Sequence, residues 1–269
     1  MPGGQNKMKI VVCVKQVPGT TEVSIDPETK RLKREGVSIE MNPFDTYALE
    51  QGILLREKHG GEVIVLSMGP QRAELTIRES IACGADSGIL LNGRPLGGSD
   101  TYATSYILSQ AVKKIGDVDL VICGKQAVDG DTAQVGPGMA AHLNWPQVTY
   151  VSRFVESGPK ELKLERMHES GSDISLVELP AVLTVLKDVN IPRIPTLKGR
   201  LNSRKVDITI WNEIDLGTDP EKIGLGGSPT RVVSTRKPDA RDKHTIVLNG
   251  NASESARELV KILKSRIEL

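Results

Sequence analysis

The stretch Gly124-Lys125-Gln126-Ala127-Val128-Asp129-Gly130-Asp131-Thr132-Ala133-Gln134-Val135-Gly136-Pro137 decides the fold. It follows an apolar run, Asp119 to Cys123, that reads as a buried strand, and it opens a segment with helical spacing that reaches His142. A strand that delivers a small, polar loop into a helix is where an α/β protein presents unpaired backbone N–H groups to phosphate. Pro137 fits only the first turn of a helix, so the regular helix is expected to begin near Gly136. Asp131 with Gln134 also has the spacing of a capping box, so the same residues admit a purely structural reading.

Working outward, Lys9–Lys15, Glu62–Ser67, Gly88–Leu91 and Leu120–Cys123 read as strands, and they alternate with helical segments at Asn42–His59, Pro70–Cys83 and Asp100–Ile115. This pattern predicts an α/β fold, a Rossmann-like and mostly parallel sheet with helices on both faces. A ligand of such a sheet lies beyond the carboxyl ends of the strands, which singles out the loops Cys13–Pro18, Ser67–Gly69, Asn92–Asp100 and Gly124–Pro137. Between the first strand and first helix, Glu22 to Glu40 reads as a hairpin turning at Asp26-Pro27.

Beyond Pro146 the pattern becomes antiparallel, with strands expected at Val148–Glu156, Glu161–Glu169 and Asp173–Glu178 before a buried run at Ala181–Leu186. Residues 188–200, with Pro192, Pro195, Gly199 and the cations Arg193, Lys198 and Arg200, suit an exposed docking loop, and Arg204 and Lys205 extend its charge. The nucleotide-binding domain is thus expected over 8–205. Residues 1–7, ahead of a second Met8, read as an extension, and 206–269 as an extended C-terminal arm ending in a helix. Asn251 and Glu254 form a capping box for that helix, and Ala256, Leu259, Val260, Leu263 and Ile267 give it an apolar stripe. The stripe suits either a partner subunit or the chain's own core.

A chain of 269 residues, 38% hydrophobic, can bury the core of one large domain with appendages. A net charge of +1 with 3% aromatic residues argues against nucleic-acid binding, which favours a basic face and stacking rings. No apolar run approaches about 18 residues and no secretory signal is present, so no membrane span and a cytoplasmic location are expected. Cys13, Cys83 and Cys123 stand far apart, as do His59, His142, His168 and His244, so neither a metal site nor a hydrolytic triad can be assembled.

With these elements placed, the chain from about Met8 to at least Ser234 resembles the beta (small) subunit of an electron-transfer flavoprotein. The resemblance is carried by Cys13-Val14-Lys15-Gln16-Val17-Pro18, Met41-Asn42-Pro43-Phe44, Ser67-Met68-Gly69-Pro70, Gly84-Ala85-Asp86, Gly124-Lys125-Gln126-Ala127 and Pro192-Arg193-Ile194-Pro195-Thr196-Leu197, in this order. It implies a heterodimer with an alpha subunit that carries a flavin on a mobile domain. Ordinary members hold AMP in the beta site. A subset holds a second FAD there, accepts hydride from NADH, and bifurcates the electrons. One branch runs through the alpha-subunit flavin to a high-potential, flavin-dependent dehydrogenase of the acyl-CoA dehydrogenase kind, the other to ferredoxin or flavodoxin.

Two segments are similar to the bifurcating form: Gly97-Gly98-Ser99-Asp100-Thr101-Tyr102-Ala103-Thr104-Ser105 and Asp129-Gly130-Asp131-Thr132-Ala133-Gln134-Val135-Gly136-Pro137. The resemblance makes Cys13, Asn42, Ser67 and Met68 contacts of the adenosine moiety. It makes Gly124 and Asp129 to Val135 the phosphate loop, and Gly97, Gly98, Asp100, Thr101 and Thr104 the NADH side. Glycines there let a backbone approach a large ligand, and hydroxyls can bond phosphate or ribose without adding charge. Simpler readings stand beside these. Gly97-Gly98 fits a loop before a helix capped by Ser99 or Asp100. Cys13 fits a small buried residue at a strand end. Lys15 suits equally a cofactor-binding residue that neutralises phosphate and a solvated lysine at a strand end. Asp129 and Asp131 would repel phosphate, so ribose hydroxyls or loop amides are their better partners.

Leu197 matches the apolar anchor that enters the dehydrogenase, with its own domain as the other resting place. Lys198-Gly199-Arg200 after it departs from the common pattern, which leaves the partner's identity open. No catalytic base is expected, since the redox chemistry belongs to the flavin. Two alternatives remain: an AMP-binding electron carrier, and an adenine-nucleotide-binding regulatory protein, for which a shorter chain without the segment 192–205 is expected.

Overall fold

The computed structural model describes residues 7–19, 38–234 and 245–266. The chain forms two compact units, one ending at Arg231 and one beginning at Val232. In the first, β1 (Met8–Cys13) and β6 (Leu120–Gly124) are short apolar runs with almost every residue buried, the signature of strands covered on both faces. They pair in parallel at the centre of a sheet completed by β4 (Gly61–Met68), β5 (Ser87–Leu91), β7 (Gln147–Ser157), β8 (Glu161–His168), β9 (Gly171–Glu178), β10 (Ala181–Val185) and β11 (Thr209–Trp211). The order is β11-β5-β4-β1-β6-β10-β7-β8-β9, parallel from β11 to β7 and antiparallel through β8 and β9.

Period-two alternation along β1 builds the two layers of core. Ile10 and Val12 pack with Leu49 and Ile53 of α1 (Pro43–His59) and Ile77 of α2 (Glu74–Cys83). Val11 and Cys13 face the other way, toward Ile107 of α3 (Thr101–Ile115) and Met139 of α4 (Val135–Leu143). Each such side chain contributes about 1.5–3 kcal/mol by leaving water, which fixes helices on both faces. In the antiparallel part Leu162 and Leu164 are buried while Lys163 and Glu165 are not, so one face continues the core.

The insertion after β1 starts as a ladder, β2 (Gln16–Pro18) against β3 (Ile39–Met41) in antiparallel register. The rest of the hairpin expected over 22–40 lies outside the described residues up to 37, as do residues 1–6 of the expected extension.

The structure departs from the expected arm at 206. β11 adds a parallel edge strand to β5, α6 (Glu213–Leu216) follows it, and Leu216 and Ile223 are buried in the same cluster as α3. Three strand residues and two isolated apolar side chains in a Gly- and Pro-rich stretch carry too little periodicity to read from sequence. In the second unit α7 (Ala252–Arg266) has the expected capping box. Asn251 Oδ1 accepts from Glu254 N at 3.0 Å, and Glu254 Oε2 accepts from Asn251 N at 3.0 Å.

Candidate functional site

The strand order reverses at β1: the chain moves to β4 and β5 on one side and places β6 on the other. Loops leaving the carboxyl ends of β1 and β6 therefore diverge and leave a crevice, the usual ligand position in such sheets. The loop after β6 carries unusual backbone. Asp131 and Ala133 have φ of 54° and 55°, and Gln134 follows at φ −115°, ψ −6°. For alanine the left-handed region costs about 1–2 kcal/mol. A sign alternation of this kind turns successive N–H groups to one side and makes an anion-binding concavity. It leads directly into α4, whose first N–H groups receive no side-chain cap from Gln134. The Asp131–Gln134 capping box is not formed; the Asp131 carboxylate accepts instead from the Gln126 side chain. A Cβ at Gly130 would meet nothing within 4 Å, so the loop faces open space there.

Asn42 and Asp45, at the start of α1, hold this loop in place. Asn42 is buried; its Nδ2 donates to Gln126 O at 2.8 Å and to Asp45 Oδ1 at 2.9 Å, and its Oδ1 accepts from Val128 N at 3.1 Å. Asn42 thus places the loop, and both polar atoms of its side chain are taken up in doing so. Asp45 Oδ2 accepts from Lys15 N at 2.8 Å. Burial pushes the Asp45 carboxyl up to about 7, against the bonds it receives from Asn42, Lys15 N and Gly124 N and the Lys15 charge. Gly124 is required by this packing, since a Cβ would lie 2.7 Å from the Phe44 backbone carbon and collide with Asp45 Oδ1.

Lys15 Nζ bonds Asp129 Oδ1 at 2.6 Å, so its charge is balanced within the site and both groups stay half-exposed. Lys125 Nζ lies 5.4 Å from the Tyr150 ring centroid and 6.0 Å from that of Phe44. Cys13 pairs in register with Cys123 and its Sγ is 3.9 Å from Met139 Sδ. Its thiol is pushed well up by the contact with Cys123, burial and Asp45, which leaves it a neutral, small buried residue. Ser67 Oγ at the end of β4 is buried without a hydrogen-bond partner, and Met68 is half-buried against the α3 side of the core. An orphaned hydroxyl at a strand end and the concavity at 131–134 fit a phosphate-bearing adenosine cofactor.

On the far side, Asp100 is the N-cap of α3, accepting from Ala103 N at 3.0 Å, whereas Ser99 Oγ turns back to Leu96 O at 2.8 Å. Gly98 has φ +79° and a Cβ would lie 2.7 Å from Leu225 Cγ, so it is required by packing as well as by conformation. A Cβ at Gly97 would stand 3.3 Å from Arg94 O. Thr104 Oγ1 reaches Ser99 O at 3.5 Å. Thr101 Oγ1 donates to Thr132 Oγ1 at 3.3 Å, which joins this loop to the loop after β6. The structure therefore brings the two segments together beyond the carboxyl ends of the strands.

Leu197 lies elsewhere, as the first residue of α5 (Leu197–Ser203), and is 76% exposed beside Ile191 at 90% and Ile194 at 84%. Its side chain is not folded back on its own domain. Arg193 fixes this segment to α1 through Glu50 at 2.8 Å and Glu57 at 2.7 Å. Gly199 lets α5 close on α2, since a Cβ there would collide with Ala82 O. Sequence reading does not single out Asp45, whose position three residues beyond Asn42 marks it only as a first-turn acid, or the residues around Leu225, and it gives no sign of the partners of Lys125 and Arg193.

The family model described as the electron transfer flavoprotein domain matches residues 29–216. Among curated relatives, the electron transfer flavoprotein subunit beta of Thermoanaerobacterium thermosaccharolyticum is 48% identical over 96% of this chain and 99% of its own. The caffeyl-CoA reductase-Etf complex subunit CarD of Acetobacterium woodii is 43% identical over the same shares, 96% and 99%. Protein FixA of Sinorhizobium fredii is 42% identical over 90% of this chain and 87% of its own. Among the described residues, no helix is long and apolar enough to cross a membrane.

Proposed function

The chain belongs to the electron transfer flavoprotein family as a beta subunit, and on that premise we propose that it binds FAD, accepts electrons from NADH and bifurcates them. The alpha subunit is its obligate partner. The high-potential branch runs through the alpha-subunit flavin to an acyl-CoA dehydrogenase-like enzyme, and the low-potential branch to ferredoxin or flavodoxin. The observation that carries this reading is the junction of Thr101 with Thr132, which sets the segment 97–104 directly against the concave loop at 131–134. A ligand held by that loop is then within reach of the segment. The name of the Acetobacterium woodii relative places that protein in a caffeyl-CoA reductase-Etf complex, which supports a partner that acts on a CoA ester.

In this reading the N–H groups of 131–134 and the start of α4 receive the diphosphate, and the Ser67 hydroxyl and the end of β1 line the adenosine side. The flavin, when bound, supplies hydride acceptance and single-electron release. Asn42 and Asp45 keep the loop rigid, and Lys15 paired with Asp129 keeps the local charge near neutral. Leu197, Ile191 and Ile194 give the dehydrogenase an apolar anchor whose rim of Lys198 and Arg200 steers an acidic partner. The α7 stripe of Leu259, Val260 and Leu263 is assigned to the alpha subunit.

Anaerobic titration of the purified heterodimer with NADH tests this. Bleaching of the flavin absorbance by NADH is expected. A protein reduced by dithionite but not by NADH is instead an AMP-holding carrier.

A further inference from the structure

The segment 223–230, in a stretch that reads from sequence as a featureless arm, is tied at several points to the loop at 95–100. Gly224 N donates to Ser99 Oγ at 2.9 Å. Ser228 is buried; its hydroxyl donates to Gly224 O at 2.6 Å and accepts from Asp100 N at 2.9 Å. Asp100 Oδ2 then accepts from Thr230 N at 3.0 Å and from Thr230 Oγ1 at 2.7 Å, while its Oδ1 caps α3 through Ala103 N. One carboxylate thus joins the start of α3 to residues 130 positions away in sequence.

The packing is tight where the two segments meet. Gly224 has φ +61° and a Cβ there would collide with Pro95 O, and Leu225 occupies the space a side chain at Gly98 would need. Ile223 is buried with Leu96 in the α3 side of the core. Burial raises the Asp100 carboxyl, but the bonds from Ala103, Thr230 and Tyr102 outweigh it and hold it below the usual carboxylate range. The charged form is therefore the one that grips both elements.

Asp100 in the unclasped chain would need only its cap to Ala103, as helix N-caps generally do. The second carboxylate oxygen, taken up by Thr230, does nothing for the helix itself; it fixes where the loop 97–100 stands relative to Thr101 and Thr104. We infer that Thr230, with Ser228 behind it, is a positioning residue for the NADH side of the site, setting the approach of the 97–104 loop to the reduced dinucleotide. This rests on the reading of that loop given above.

Thr230→Val keeps the side-chain shape and removes the hydroxyl, and Thr230→Ser keeps the hydroxyl. In the intact heterodimer Thr230→Val is expected to lower the rate of NADH-driven flavin reduction at subsaturating NADH roughly tenfold, the size expected when a bond to a charged group is lost. Thr230→Ser stays within about twofold of wild type on the same argument, and dithionite reduces all three alike. In the proteins as purified, the Ala103 and Thr104 amides exchange faster in the valine variant alone. A valine variant that matches wild type in NADH reduction and in exchange overturns the inference and leaves the NADH reading intact. Equal slowing with NADH and dithionite overturns it too, as general damage to the flavin site. A wild-type heterodimer that NADH does not reduce removes the NADH reading, and the inference falls with it.

Discussion

Replacing Gly124 by alanine is expected to destabilise the first unit by about 1–3 kcal/mol and to strip most of its nucleotide. The new methyl would stand 2.7 Å from Phe44 and meet the Asp45 carboxylate, the group that ties β6 to the loop after β1. Neither neighbour can withdraw easily, because Phe44 is at the start of α1 and Asp45 is held by Asn42 and Lys15 N. Gly130→Ala is the matched control. It has nothing within 4 Å, so its stability is expected to stay within about 0.5 kcal/mol of wild type. Its nucleotide is nevertheless expected to be held more weakly, because the proposed ligand lies in that open space. Urea unfolding of both variants, with the bound nucleotide measured beside it, checks the pair. Equal stability of the two variants would mean that Gly124 is not what keeps β6 and α1 together.

The second large effect is expected at Leu197. Truncating a buried hot-spot anchor typically costs about 1–3 kcal/mol, so Leu197→Ala is expected to weaken binding of the dehydrogenase roughly tenfold to hundredfold. Cofactor content and heterodimer stability should not change, since Leu197 is 76% exposed and contributes nothing to the core. Arg193 keeps its ion pairs to Glu50 and Glu57 in the variant, so the segment retains its course over α1. Titration with the dehydrogenase reads the effect directly. An unchanged affinity would remove this segment from the docking surface.

What the sequence disclosed, and what it hid, follows from the range of the forces involved. β1 and β6 were legible because strands covered on both faces must be continuously apolar, and Leu120 to Gly124 is buried throughout. The capping box of α7 was legible because Asn251 and Glu254 are three residues apart and meet within one turn. Asp45 could not be recognised, because its bonds to Lys15 and Gly124 join three segments distant in sequence, and only folding reveals that it is buried. β11 was hidden for the same reason: Thr209-Ile210-Trp211 earns its place by pairing with Ile89 to Leu91, not by any pattern of its own.

The loop after β6 stands out in the sequence by its small residues, yet the feature that shapes it is the positive φ at Ala133, a residue whose type gives no hint of that conformation. The Asp131–Gln134 spacing suggested a cap that the side chain of Gln126 pre-empts by taking the same carboxylate. In the sequence Gly98 suggests room for a ligand; in the structure Leu225 fills the space beside it. Such contacts, made by side chains from remote segments, are what local spacing cannot encode.

The proposal that this beta subunit carries a redox-active dinucleotide is tested most directly by what it holds. The heterodimer, purified without added nucleotide, is denatured with acid, and the released cofactors are separated by chromatography and counted against protein. Two FAD and no AMP are expected for each heterodimer. One FAD with one AMP would contradict it, and would make the loop at 131–134 the seat of a structural nucleotide in a simple electron carrier.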